Sequence, residues 1–225
     1  MRIVLTRETG RNDELRGWLP AGAEVDEVEL TTTSYVDAST VEHDLLARAA
    51  YGSYAALVVT SARSEPYVPL ALAALARGAG IYSVGAATTR ALSRAGAVVD
   101  HEAHAGALEL DPFITRGPVL MLGARGMREA LPAALAARGF DVDRVTCYET
   151  RRVELDDAAA GAVAAADVIV IGAPSAWSVA RALVRPATWV VVPGASTAEV
   201  VRRDHERVIE AWGSSLSSAL ASLDY

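Results

Sequence analysis

Two glycine-containing segments carry residue types that suit the binding of an anion. In each segment a short apolar run reaches a glycine, Gly85 or Gly194. Hydroxyl residues follow, Thr88 in the first segment and Ser196 and Thr197 in the second. Each pattern predicts a strand that passes through a glycine turn into a helix. The first turn of a helix has backbone N–H groups without intrahelical partners, and these groups can donate to an anion. Two such turns suggest two halves that bind one anionic ligand.

Other polar and cationic residues follow further predicted strands. In open parallel sheets, ligands bind at the edge formed by the carboxyl ends of the strands. Guanidinium groups and backbone N–H groups at that edge would hold carboxylates or phosphates. Each arginine taken singly could equally be an ordinary surface residue. The candidate binding residues are Arg7, Thr60, Ser61, Ala62, Gly85, Thr88, Arg125, Ser175, Gly194, Ser196 and Thr197, with Arg63 and Arg128 close to other strand ends.

Tyr148 is the candidate for a chemical role. It ends a predicted strand just before a charged connector, so we expect it to point into the space between two domains. A phenol can donate a hydrogen bond or a proton, and its unperturbed pKa of about 10 suits an acid better than a base at neutral pH. The alternative is an aromatic residue that only packs the hinge, and spacing alone favours that alternative.

The composition excludes several classes of function. All 21 basic residues are arginine, so the chain cannot form a lysine Schiff base, attach pyridoxal phosphate or contain a P-loop. The net charge of −7 argues against nucleic-acid binding through a broad basic face. No apolar run reaches the roughly 18 residues of a membrane span, and no signal peptide precedes the first strand. We expect a soluble cytoplasmic protein without a membrane partner.

The histidines and the single cysteine predict no metal site. His101 and His104 are three residues apart, whereas a zinc-binding helix needs a spacing of four, so we interpret them as solvated loop residues. His43 and His205 have no partner in sequence and are predicted to lie on the surface. Cys147 stands in an apolar alternation without a nearby histidine, which favours a buried residue over a nucleophile. The glycine pattern of a dinucleotide site is absent after the first strand.

Strands that alternate with helices predict an α/β protein built on parallel sheets. The apolar runs indicate ten strands, at 2–6, 25–30, 55–60, 81–84, 97–100, 119–122, 142–148, 167–172, 189–192 and 207–210. An internal repeat relates the two halves, because the segment that begins at Gly22 matches the one that begins at Gly139. The repeat alone favours a division near residue 115. The connectors at 31–37 and 149–155 favour another division, with five strands between residues 37 and 148 and five outside.

The ordered motifs of the chain resemble the uroporphyrinogen-III synthase family. No single motif is specific, but their order and spacing fit that family over nearly the whole chain. They are Val4-Leu5-Thr6-Arg7, Val59-Thr60-Ser61-Ala62, Val84-Gly85-Ala86-Ala87-Thr88-Thr89, Val145-Thr146-Cys147-Tyr148-Glu149-Thr150, Ala173-Pro174-Ser175 and Gly194-Ala195-Ser196-Thr197-Ala198.

The resemblance implies two similar α/β domains, each with a five-stranded parallel sheet flanked by helices, joined by a two-stranded hinge. It therefore favours the division made by the connectors over the cut near residue 115. The first domain is discontinuous, with residues 1–33 and 152–225, and the second domain covers residues 36–148. Residues 31–37 and 149–155 are the expected hinge connectors.

The resemblance also implies a reaction. The substrate is hydroxymethylbilane, a linear tetrapyrrole with eight carboxylates, and a lyase of this family closes the macrocycle with loss of water while it inverts the last pyrrole ring. Tyr148 matches the family's tyrosine that is proposed to assist departure of the hydroxyl, Thr197 matches a threonine of the second glycine turn, and Ser61, Thr88 and Ser175 match hydroxyl positions of the cleft. The family needs no metal or organic cofactor, and the resemblance favours a monomer in the pathway of porphyrin and heme biosynthesis.

Two departures from the family pattern leave an alternative open. Many members have serine where Ala173 stands before Pro174, so one hydroxyl is missing. The run from Ser64 to Pro66 also lacks the aliphatic residues expected on that helix. The alternative is a non-catalytic two-domain protein that binds or senses a tetrapyrrole or another polyanion.

Overall fold

The computed structural model describes residues 1–223 of the 225-residue chain. The chain divides into two compact units. Unit 1 contains residues 1–33 and the chain from residue 150 onward, and unit 2 contains residues 34–149. Each unit consists of a sheet of parallel strands covered by helices.

Eleven strands and nine α-helices form the described part of the chain. The strands are β1 (Arg2–Leu5), β2 (Glu24–Glu27), β3 (Thr31–Tyr35), β4 (Tyr54–Val59), β5 (Leu75–Val84), β6 (His101–Ala103), β7 (Val119–Ala124), β8 (Val142–Arg152), β9 (Val168–Val170), β10 (Trp189–Val192) and β11 (Val208–Glu210). The helices are α1 (Asp13–Arg16), α2 (Ala38–Leu46), α3 (Val68–Ala73), α4 (Ala86–Arg94), α5 (Ala130–Ala137), α6 (Asp157–Ala165), α7 (Pro174–Ala180), α8 (Ala195–Val201) and α9 (Ser214–Ala221). Two 3-10 segments, Ala62–Tyr67 and Ala107–Phe113, complete the set.

The sheet of unit 1 has five parallel strands in the order β11-β10-β9-β1-β2. Successive residues of a strand point to opposite faces. On β1, Val4 packs with α6, α7 and α8 on one face, while Ile3 and Leu5 pack with α1 and α9 on the other. Both faces are therefore buried, which explains why these strands read as continuous apolar runs.

The sheet of unit 2 has six strands in the order β3-β8-β7-β4-β5-β6. Leu57 and Val59 of β4 face α2, α3 and α4, whereas Ala56 and Val58 face α5 and the second 3-10 segment. The strands from β8 to β6 are parallel. This sheet has one strand more than the five that we expected, because β3 pairs at its edge.

β3 and the end of β8 lie where the sequence predicted connectors. Val36 N–H donates to the Cys147 carbonyl at 2.9 Å and Val153 N–H to the Leu30 carbonyl at 3.0 Å, so the two strands run antiparallel. β3 has no fully buried residue. An edge strand of this kind needs no apolar alternation, and for this reason the apolar pattern missed it.

The two units share one sheet connectivity. When β3 is left out, the spatial order of the strands in unit 2 is β8-β7-β4-β5-β6. The corresponding order in unit 1 is β2-β1-β9-β10-β11, with β2 equivalent to β8 and β11 to β6. The repeated glycines occupy matching turns before β2 and β8, since Gly22 and Gly139 both have φ of +83°. The internal repeat in the sequence therefore corresponds to a repeated sheet.

Several local predictions were wrong. The strand predicted at 97–100 lies at His101–Ala103, because Asp100 closes the preceding loop by accepting from the Ile81 N–H at 2.7 Å. His101 is no solvated loop residue, since its ring stacks on Phe113 with centroids 3.5 Å apart. His205 is buried, and its Nε2 lies 2.7 Å from the Thr188 carbonyl oxygen.

Cys147 is fully buried in the core between α2, α3, α4 and the unit 2 sheet, as the sequence predicted. Burial raises the pKa of its thiol to about 11. Within residues 1–223 no cluster of three or more His, Cys, Asp or Glu side chains is arranged to hold a metal ion. None of the described helices has both the length and the apolar character that crossing a membrane would require.

The shifted thiol predicts that stability falls at high pH. The folded pKa of about 11 exceeds the ordinary value of 9.0, so the contribution of Cys147 is fully present below pH 9 and is lost as pH rises toward 11. In that window the unfolded chain loses its proton first, and the free energy of unfolding falls by on the order of 2 kcal/mol. Guanidinium unfolding of the wild type and of Cys147→Ala from pH 8 to 11 measures this. The difference in the free energy of unfolding between the two proteins should shrink above pH 9. A difference that stays constant from pH 8 to 11 would contradict the raised pKa of Cys147.

Candidate functional site

The predicted binding residues of unit 2 lie at one edge of its sheet. Arg125 follows β7, Thr60 and Ser61 follow β4, and Gly85 follows β5, and these three strands are parallel neighbours. Because the carboxyl ends of parallel strands meet at one edge, the structure brings these residues together within unit 2.

A cavity of about 310 Å³ opens at this edge. Thr60 and Val84 line it from the strand ends, and two loops that contain Gly106 and Gly126 close its sides. Its full lining is Thr60, Val84, Gly106, Ala107, Met121, Ala124, Gly126, Met127 and Arg128. The interior is mainly apolar, and Arg128 supplies the positive charge.

Gly123 allows the chain to close around this cavity. A Cβ atom at Gly123 would lie 2.6 Å from Thr60 Oγ1 and 2.5 Å from Met127 Sδ. These approaches are shorter than van der Waals contact, so a side chain at position 123 would push the two lining residues apart. The Thr60 hydroxyl donates to the Leu122 carbonyl at 3.3 Å, which fixes its orientation beside the glycine.

Ser61 and Ala62 begin the 3-10 segment after β4. The Ser61 hydroxyl oxygen accepts from the Arg63 N–H at 3.2 Å and so caps this segment. The Arg63 guanidinium carbon lies 5.9 Å from the ring centroid of Tyr148. The turn at Ser61 therefore places Arg63 beside Tyr148, the residue for which the sequence suggested a role in the chemistry.

The Gly85 turn depends on glycine. Gly85 has φ of +77° and ψ of +149°, a conformation that other residues rarely adopt, and its carbonyl accepts from the Thr88 N–H at 2.9 Å. The Thr88 side chain is buried, with 3% of its surface exposed. Thr89 donates to Glu102, and its oxygen lies 2.6 Å from Ser83 Oγ. The Thr88 and Thr89 N–H groups both donate to the Gly85 carbonyl, so the amides that this turn offers to a ligand are those of Ala86 and Ala87.

Tyr148 lies inside β8 and does not end the strand, which continues to Arg152. The register of β8 against β7 shifts here, because Thr146 pairs with Gly123 whereas Tyr148 pairs with Ala124. Cys147 is the extra residue of this bulge. Tyr148 is 5% exposed, and its ring lies 6.3 Å from that of Tyr35.

Arg125 is exposed, with 72% of its side chain accessible. Its Nε lies 2.8 Å from a carboxylate oxygen of Glu149. Glu149 is 24% exposed, so the pair is open to solvent on its arginine side, where the guanidinium is accessible to a carboxylate from solution.

The unit 1 candidates lie at the equivalent edge of the other sheet. Arg7 follows β1, Ser175 is in the first turn of α7 after β9, and Gly194 follows β10. The Arg7 guanidinium carbon lies 5.7 Å from the Trp212 ring centroid, and its Nη1 lies 4.0 Å from Glu14 Oε2. The sequence missed Trp212, although its position directly after a predicted strand at the same edge was a usable signal.

The second glycine turn differs from the first. Gly194 has φ of +167°, which is extended backbone that any residue can adopt. Ser196 is exposed, whereas Thr197 is buried with 3% of its surface accessible. Ala173, which occupies the cap position of α7, offers no side-chain acceptor to that helix.

A comparison of the sequence with protein-family models identifies the family of this chain. The model described as "Uroporphyrinogen-III synthase HemD" matches residues 18–211, most of the chain. The chain belongs to the uroporphyrinogen-III synthase family. This match confirms the resemblance that the ordered motifs indicated.

Solved structures of uroporphyrinogen-III synthases share the fold. A mutant of the enzyme from the extremely thermophilic bacterium Thermus thermophilus is 16% identical, with a TM-score of 0.67 over 98% of this chain and 96% of that chain. The Helicobacter pylori enzyme is also 16% identical, with a TM-score of 0.61 over 98% of this chain and 99% of that chain. No curated protein sequence matches the chain significantly.

Because two synthase-family turns of similar sequence differ in backbone conformation, they should respond differently to alanine. Gly85→Ala forces a side chain into the region near φ +77° and should lower the free energy of unfolding by about 1–3 kcal/mol. Gly194→Ala meets no such restriction and no atom within 4 Å, so we expect a change within about 1 kcal/mol. Urea unfolding of both variants tests this, and equal losses would refute the distinction.

Proposed function

We propose that this chain is the synthase that cyclises hydroxymethylbilane to uroporphyrinogen III, with inversion of the last pyrrole ring and loss of water, as a lyase of porphyrin and heme biosynthesis. The family match over residues 18–211 carries the proposal. The substrate has eight carboxylates, and the chain has arginine, hydroxyl and backbone amide donors at the carboxyl edge of each sheet. Such donors suit carboxylate binding although the whole chain is acidic.

The proposed binding set includes all the candidates that the sequence marked, with a division of roles. Arg7 and Arg125 offer guanidinium groups, and Thr60, Ser61, Ser175 and Ser196 offer hydroxyls. The turns at Gly85 and Gly194 offer the first amides of α4 and α8. Thr88 and Thr197 contribute by holding the two turns in place, because their side chains are buried and their N–H groups donate to the Gly85 and Gly194 carbonyls. Ala62 offers its backbone amide.

We propose that Tyr148 donates a proton to the departing hydroxyl of the substrate. The C–O bond breaks, and water leaves with that proton. The pyrrole nitrogen supplies the electron pair that forms the azafulvenium cation, which becomes the azafulvene when its N–H proton passes to the Tyr148 phenolate. This species is already reactive, so the protein's main task is to hold the chain in a geometry that selects the isomer. The Arg63 guanidinium carbon lies 5.9 Å from the Tyr148 ring centroid, and this cation–π contact supports the assignment by holding the ring in one place.

The remaining features of the proposal concern organisation. The two units divide at 33/34 and 149/150, inside the segments 31–37 and 149–155, which supports two domains with a hinge at those segments. The proposed domains are residues 1–33 with 152–225, and residues 36–148. We further propose a cytoplasmic monomer that works without a metal or organic cofactor.

The activity is tested by product analysis. Purified protein incubated with freshly prepared hydroxymethylbilane should give mainly uroporphyrinogen III, measured as the oxidised porphyrin by chromatography. Without catalysis the substrate closes spontaneously to isomer I. A product mixture that contains only isomer I would overturn the proposal and leave a binding protein.

The role of Tyr148 is tested by Tyr148→Phe. General acid catalysis contributes about 10²–10⁴-fold, so kcat should fall by about 100-fold while isomer III remains detectable. Tyr51→Phe is the matched control, because Tyr51 is an exposed tyrosine before β4, at the opposite end of that strand from Thr60. Equal kcat values for the wild type and Tyr148→Phe would remove Tyr148 from the chemistry.

A further inference from the structure

Arg128 is a cationic residue at the border of a cavity, and in the described part of the chain no carboxylate pairs with it. It borders the cavity of about 310 Å³ at the carboxyl edge of the unit 2 sheet. Within residues 1–223 it forms no hydrogen bond or ion pair with another side chain or carbonyl group. An arginine left without a partner beside an apolar cavity is available to a carboxylate that enters the cavity.

The loop that carries Arg128 is held in place from β8. Arg144 donates from Nη2 to the Met127 carbonyl at 2.8 Å and from Nη1 to Glu129 Oε1 at 2.6 Å. These two contacts lie on either side of Arg128 along the chain. They fix the backbone of residue 128 at the cavity, and the bond to Arg144 also compensates the charge of Glu129. Arg144 is therefore a positioning residue for Arg128.

The cavity interior suits a flat apolar ring. Met121, which is buried, and Met127 line the cavity, and Val84, Ala107 and Ala124 supply the rest of its apolar lining. Methionine side chains adapt to the faces of aromatic rings. Small-molecule sites range from about 300 to 1,000 Å³, so this cavity, at the lower end of that range, fits one ring and not a whole tetrapyrrole.

We propose that this cavity is a subsite for one pyrrole ring of the substrate and that Arg128 pairs with a carboxylate arm of that ring. This inference rests on the proposed function and adds a specificity-determining contact to it. A bound ring would lie beside Thr60, whose hydroxyl is held by the Leu122 carbonyl. One ring anchored at this position restricts how the remaining rings curl, and the subsite thereby contributes to the choice between isomers III and I.

The test combines a charge variant with a variant that fills the cavity. Arg128→Gln removes the guanidinium, and Ala107→Leu places a larger side chain in the cavity. The matched controls are Arg77→Gln and Ala105→Leu, because both residues are exposed and do not line the cavity. KM, kcat and the fraction of isomer III are measured for each variant and for the double variant. Thermal unfolding of every protein confirms that it is folded.

We expect each single variant to raise KM for hydroxymethylbilane by about tenfold, as the loss of one charge-assisted hydrogen bond predicts, while kcat changes less. The double variant should be little worse than either single variant, because a ring that cannot enter the cavity cannot reach Arg128. The controls should leave KM unchanged. Arg128→Lys should restore part of the binding.

Binding of a simple probe gives a readout besides catalysis. A monopyrrole with one acetate and one propionate arm should perturb NMR signals of the Met121 and Met127 methyl groups in the wild type and not in Ala107→Leu. An active wild type with unchanged KM in both single variants, or with fully additive effects in the double variant, would overturn the subsite. A wild type that makes only isomer I would instead overturn the proposed function, and the monopyrrole titration would still decide the subsite.

Discussion

Parallel strand pairing is the constraint on which the candidate site depends. In unit 1 it places the carboxyl ends of β1, β9 and β10 side by side, and in unit 2 it does the same for β7, β4 and β5. Each of these ends carries a polar or glycine residue that opens a turn or helix. Because both faces of each sheet are buried under helices, the edge is the surface that a sheet of this kind offers to a ligand. In each unit, the residues that follow three neighbouring strands are therefore the ones that a ligand at this edge would contact.

The two sheets repeat one connectivity, but their turns are not equivalent. Gly85 holds a backbone conformation that requires glycine, whereas Gly194 is extended, and Thr88 and Thr197 are both buried after them. The hydroxyls of Thr88 and Thr197, which the sequence marked as ligand groups, thus lie in the protein interior. The groups that the first residues of α4 and α8 present at these turns are backbone amides, which a duplicated unit can keep while its side chains diverge.

The sequence predicted the parts of the fold that depend on apolar burial. The strands of both sheet interiors and the burial of Cys147 follow from apolar runs, and the repeated sheet connectivity follows from the matching glycine turns at Gly22 and Gly139. β3 was not predictable in this way, because a partly exposed edge strand carries no apolar period. His205 was misplaced for a related reason, since its burial depends on a carbonyl partner at Thr188 that is distant in sequence. The cavity beside Arg128 could not be predicted at all, because loops separated in sequence enclose it.

The position of Tyr148 shows how a small irregularity in a strand can direct a side chain. In a regular strand, Cys147 and Tyr148 would point to opposite faces. Both are buried in the same core cluster, since the bulge at Cys147 shifts the register and re-aims the residue after it. The Tyr148 ring thereby comes within 6.3 Å of the Tyr35 ring and 5.9 Å of the Arg63 guanidinium carbon. The bulge thereby sets the direction of the Tyr148 side chain, while the strand continues past it to Arg152.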